Sequence, residues 1–206
     1  MSKIIDLKLF EKEISSSENE TLMEIKKRAL DRLKKTGLPN KSHENWKYTD
    51  IARPIELVQK YLTNKKNEKE LNSNSSSTAV NEIDAHWINL SAFSLKSEFS
   101  INVEDVDISI SLLSTSNENF DIQINDPISC LNALLIKDVI KITIPKNSSI
   151  EKPLGIIWTN SPKQNDFCSN LRCVVDIGEN SNINLINIFQ NEISEEYFIN
   201  SVMEID

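Results

Sequence analysis

Three cysteines and two histidines are the side chains of this chain best suited to nucleophilic, redox or metal chemistry, and their spacing limits what they can do. Cys130, Cys168 and Cys173 form no C-x-x-C pair, and an odd number fits reduced thiols rather than a disulfide framework. If Cys168 and Cys173 share a strand, their odd separation puts them on opposite faces, a poor start for a shared metal. Each is expected as a small buried apolar side chain. His43 and His86 stand far apart, with nothing local to pair either of them with a cysteine, and are expected as surface or packing residues. No Gly-rich phosphate cradle and no H-E-x-x-H occurs, and no two carboxylates stand out as an acid/base couple. The expectation is a chain that is not an enzyme, with no catalytic, cofactor-binding or metal-binding residue of its own.

The aromatic residues point elsewhere. GLPNKSHENWKYTDI, Gly37 to Ile51, packs a turn, a Trp and a Tyr into a chain with only 6% aromatics. Trp46 and Tyr48 are separated by two, so in an extended segment they project to the same side. They either pin this connection onto the core or form a docking surface for a partner.

The flanking elements are legible. Thr21-Leu22-Met23-Glu24 reads as a capping box that opens a helix. Leu22, Ile25, Ala29 and Leu33 make its apolar stripe, with Lys26, Lys27, Asp31, Arg32 and Lys34 on the other face. Gly37 and Pro39 stop it. Pro54 suits the first residue of a second helix that runs to about Thr63. Residues 1–63 thus form a helical region, and 64–81, NKKNEKELNSNSSSTAVN, a polar linker too poor in apolar residues to repay its ordering.

From residue 82 onward, stretches rich in Ile and Val alternate at period two: Asp107 to Ile110, Phe120 to Ile124, Lys141 to Ile144, Leu154 to Trp158, Cys173 to Ile177, Ile183 to Ile188 and Phe198 to Ile205. Pro127 to Ile136 interrupts them with the spacing of a short helix. With only 3 Gly, Asn must serve many left-handed corners. On pattern alone a sandwich, a barrel and a β-solenoid all stay open for this part.

The bulk numbers exclude some classes. A net charge of −8 argues against a general nucleic-acid binder, which needs a basic surplus. No run of about 18 apolar residues and no secretory h-region occurs, so no membrane span is expected and the expected compartment is the cytoplasm.

Arg28-Ala29, then Gly37-Leu38-Pro39, then Glu44-Asn45-Trp46-Lys47-Tyr48-Thr49 resemble the N-terminal region of the SufB/SufD family of iron–sulfur cluster assembly proteins, in its SufD branch. Leu131 to Leu134, Ile142 to Lys146, Ile150 to Leu154 and Val175 to Glu179 follow in the same order. The resemblance implies an α+β chain in which the helical region precedes a right-handed parallel β-helix (82–206), and family members run on beyond the point where this chain stops at Asp206. It also implies a non-catalytic scaffold subunit that binds no cofactor in this part, works with SufB and the ATPase SufC, and belongs to a complex that assembles an iron–sulfur cluster. The family's residues for SufC binding and cluster formation lie beyond the matching part, so none is carried over. An uncapped β-helix end is expected to self-associate. Two other readings stand beside the scaffold: a partner-binding module that shapes or protects SufB through Trp46 and Tyr48, and a β-helical carbohydrate-acting enzyme.

Overall fold

The computed structural model describes residues 6–17, 19–39, 41, 44–64, 83–91, 108–116, 120, 122–160, 168–191 and 196–206. Helix α1 (Leu7–Ser15) comes first, in a stretch of the helical region 1–63 for which no separate helix was named. Its Leu7, Phe10 and Ile14 fall at three- and four-residue steps, and the Asp6 side chain caps it by accepting from the Lys8 amide.

Helix α2 (Glu20–Thr36) carries the expected stripe, with Leu22, Ile25, Ala29 and Leu33 buried. Its cap is Asn19, whose side chain accepts from the Leu22 amide at 2.8 Å, so the helix starts before the Thr21 box. Lys26 does not take the solvent face. It is buried and lies 3.7 Å from the equally buried Glu13 of α1, an ion pair inside the helix packing. The helix ends at Gly37, whose φ of 70° is one that side-chain-bearing residues rarely adopt. A single 3₁₀ turn, Glu44–Trp46, leads on to α3 (Ala52–Asn64), in which Pro54 is the third residue rather than the first. The expected linker, 64–81, lies outside the described residues apart from Asn64, which closes α3.

The strands are β1 (His86–Ser91), β2 (Ser109–Leu112), β3 (Ile140–Ile144), β4 (Leu154–Asn160), β5 (Cys168–Ile177), β6 (Leu185–Asn191) and β7 (Phe198–Ile205), with α4 (Pro127–Leu135) between β2 and β3. Asp126 and Ser129 close a capping box at α4, and Pro127 fills its first turn.

The expected α+β character holds, but the right-handed parallel β-helix does not. The strands form two open sheets: a parallel one in the order β1-β4-β6, and a mixed one in the order β2-β3-β5-β7 whose β2 runs antiparallel to β3. Period-two alternation fixes which face of a strand is buried, but not its neighbour or its direction. Of the expected strand Phe120 to Ile124, the described residues 120 and 122–124 belong to no strand. Phe120, Ile122 and Ile124 are buried there without a ladder, and side chains hold the backbone instead: Arg28 donates to the Ile122 carbonyl at 3.1 Å and Arg32 to that of Asn125 at 2.9 Å.

Two apolar clusters organise the molecule. Ile88, Ile142, Ile156, Trp158, Leu171, Cys173 and Val175 fill the space between the two sheets. Phe10, Ala29, Leu33, Val58, Leu131, Leu134, Cys168 and Val174 fill the space between the helices and the outer face of the four-stranded sheet. Asn147 and Asn180 hold positive φ at the corners, and the Asn180 side chain donates to that of Asn147 at 3.0 Å.

Candidate functional site

From Glu44 to Thr49 the chain between α2 and α3 follows no extended path. The Lys47 amide donates to the Glu44 carbonyl at 3.3 Å and the Thr49 amide to that of Trp46 at 3.1 Å, so the chain turns through Glu44 to Thr49. Trp46 and Tyr48 therefore do not share one side of a strand-like segment. Trp46 is half-buried, whereas Tyr48 is 92% exposed with the Lys47 ammonium 5.4 Å from its ring. One aromatic is placed to pack and the other to meet solvent.

Charged groups fix the segment where it enters α3. The Asp50 carboxylate accepts from the Ala52 amide at 2.9 Å, and that bond, helped by Lys41 at 3.5 Å, holds its pKa below the usual range. Arg53 grips Glu196 with two guanidinium N–H groups, Nε to Oε1 at 2.6 Å and Nη2 to Oε2, and donates to Glu56 at 3.0 Å. The Glu196 carboxyl is held below its ordinary pKa by the Arg53 hydrogen bond. The start of α3 is thereby tied to the approach to β7. A shallow groove between α1 and α3, lined by Leu9, Glu56, Gln59, Lys60 and Thr63, lies on the same helical region.

The thiols sit inside. Cys130, Cys168 and Cys173 are free and buried, and β5 presents Cys168 to the helical cluster and Cys173 to the inter-sheet cluster, on opposite faces as their spacing implies. Burial raises all three pKa values, those of Cys168 and Cys173 to about 12. His86 is half-buried at the start of β1, and its amide donates to the Pro153 carbonyl at 2.9 Å. His43 lies outside the described residues. Among the described residues, no group of three His, Cys, Asp or Glu is placed to hold a metal.

A buried polar cluster escaped the sequence reading. Arg172 of β5 is 1% exposed and donates through Nε to Glu204 Oε1 at 2.7 Å, through Nη1 to Asn132 Oδ1 at 3.1 Å, and through Nη2 to the Gln123 carbonyl. Glu204 of β7 also accepts from the Gln123 amide at 2.8 Å. Asn132 of α4 donates to the Leu171 and Asn200 carbonyls at 2.9 and 2.8 Å, and the Asn200 side chain donates to the Ile128 carbonyl at 3.1 Å. Desolvation lowers the Arg172 pKa, while Glu204 opposes the shift. The cluster fastens α4, the 122–125 segment, β5 and β7 together, with Arg172, Asn132 and Asn200 buried and Glu204 half-buried at its rim. Its signal in the sequence was a lone Arg inside the apolar run Leu171 to Val175.

Residues 5–90 match the family described as SufBD protein N-terminal region. No curated protein matches the chain. The matched part includes α1, α2, the Trp46 and Tyr48 turn, α3 and most of β1. Among the described residues, no helix is long and apolar enough to cross a membrane.

Proposed function

We propose that the chain, whose residues 5–90 match the SufBD protein N-terminal region, is a non-catalytic scaffold subunit of the SufD type in the SufB/SufD family, working with SufB and the ATPase SufC in the cytoplasm. The match over 5–90 is the observation that carries the reading. The thiols support its non-catalytic side: Cys168 and Cys173, pushed up to about 12, stay protonated at neutral pH and are shut away from any incoming iron or sulfide. On this reading the iron–sulfur cluster is cargo of the complex, and this chain contributes contacts rather than ligands.

The 92% exposure of Tyr48 favours a second, compatible reading in which the Trp46 and Tyr48 turn is the docking surface toward SufB. The test is co-expression with SufB and SufC followed by size exclusion, using the native chain, Trp46→Ala and Tyr48→Ala. Co-elution of the native chain is expected. Tyr48→Ala should fold normally and lose co-elution if the turn docks, while Trp46→Ala should lower stability if that ring packs. A native chain that elutes alone overturns the scaffold reading.

A further inference from the structure

One face of α2 carries cations that the fold orients but leaves uncompensated. Arg28, Arg32 and Lys35 follow one another at four- and three-residue steps, so they line one side of the helix over about 10 Å. All three are exposed. Arg28 donates through Nη2 to the Ile122 carbonyl at 3.1 Å, and Arg32 through Nη2 to that of Asn125 at 2.9 Å. Among the described residues neither guanidinium makes another hydrogen bond or an ion pair, and the Lys35 ammonium makes neither. Asp31, exposed on the same stretch of helix, pairs with none of the three.

The two carbonyls fix the guanidiniums without neutralising them, and the rest of each planar fork is left to take a carboxylate. Because both side chains are already held, little of their freedom is lost on binding. The helix dipole accounts for a cation in the last turn such as Lys35, but not for Arg28, which stands about two turns further back. The charge is local. Between Lys27 and Lys47 stand seven of the chain's 23 Lys and Arg against two of its 31 Asp and Glu, on a chain of net charge −8. Of these seven, Lys34 is paired with Glu11 and Lys41 with Asp50. A long polyanion or an anionic bilayer runs past such a patch onto an acidic molecule, whereas a short acidic segment does not.

We propose that Arg28, Arg32 and Lys35 form a docking face for an acidic helix of a protein partner, one whose Asp or Glu side chains repeat at the same four- and three-residue steps. Two helices laid side by side bring each carboxylate level with one cation, and the two arginines take theirs through paired N–H groups. The face is independent of the assembly role, and either can fail alone.

Fluorescence anisotropy of the full chain with a labelled Ala-rich helical peptide tests it, the peptide carrying three Glu at those steps, beside a counterpart with Gln in their place. A single-stranded oligonucleotide and vesicles containing an anionic lipid are the competing probes. The Glu peptide should bind, more weakly as salt rises, and the Gln peptide should not. Arg32→Gln and Lys35→Glu should each weaken binding about tenfold or more, and Lys35, whose ammonium touches nothing, decides the matter if the Arg32 variant misfolds. Lys146→Glu, the same change of net charge at the exposed corner after β3, should bind like the native chain. A native chain that ignores the Glu peptide, equal binding by Lys35→Glu, an equal loss in Lys146→Glu, or tighter binding of the oligonucleotide or vesicles would overturn the proposal.

Discussion

Replacing Glu204 by Ala removes, among the described residues, the only carboxylate hydrogen-bonded to Arg172, a guanidinium whose side chain is fully buried while that of Glu204 is 10% exposed. The remaining partners, Asn132 Oδ1 and the Gln123 carbonyl, are neutral dipoles. Stranding a buried charge in this way costs about 3–5 kcal/mol, and the Gln123 amide loses its acceptor as well. Against a typical total of about 5–15 kcal/mol that is a large share, and for a chain of this length it lowers Tm by roughly 6–20 °C. Denaturant unfolding, followed by circular dichroism and fluorescence to check for a single transition, measures it. Arg172→Met combined with Glu204→Leu should lie closer to the native chain than either single change, because it removes both charges together. A Glu204→Ala protein within about 1 kcal/mol of native stability would show that the guanidinium finds solvent, and would refute the dependence of buried Arg172 on this carboxylate.

The thiols give a pH prediction. Their ordinary pKa is 9.0 and the folded values for Cys168 and Cys173 are about 12, so their contribution to stability is complete below pH 9 and is lost as pH rises toward 12. A thiol reagent at pH 8 should accordingly label these two only in denaturant, and rapid labelling of the native chain would contradict their burial. Asp126→Ala removes the acceptor of the Ile128 and Ser129 amides and should cost about 1 kcal/mol in denaturant unfolding. Gly155→Ala puts a Cβ into the space of the Trp87 ring and should destabilise by about 1–3 kcal/mol, with a shift in Trp fluorescence.

Local patterns were legible where one periodicity dominated. The stripe of α2, the α4 helix after Asp126, and the strand runs from Lys141 onward all came from spacing, because burial of one face leaves that trace. Helix α1 was not named separately because its Leu7, Phe10 and Ile14 make only a short stripe among charges. The arrangement of strands was not legible: β2 runs antiparallel to β3 although the strands after it pair parallel, and no residue type in Ser109–Leu112 encodes that direction. Trp46 and Tyr48 were singled out by type, but the turn that separates them depends on backbone bonds that alternation does not reveal. The Arg172 cluster needs four separate segments to meet, and a single sequence shows only the misplaced charge.

The most direct measurement of the scaffold role is the iron and acid-labile sulfide carried by SufB and SufC expressed anaerobically with and without this chain. The account predicts that the chain travels with the complex and raises its cluster content while binding no iron when purified alone. A complex that loads equally well without the chain, from which the chain is absent, would contradict it.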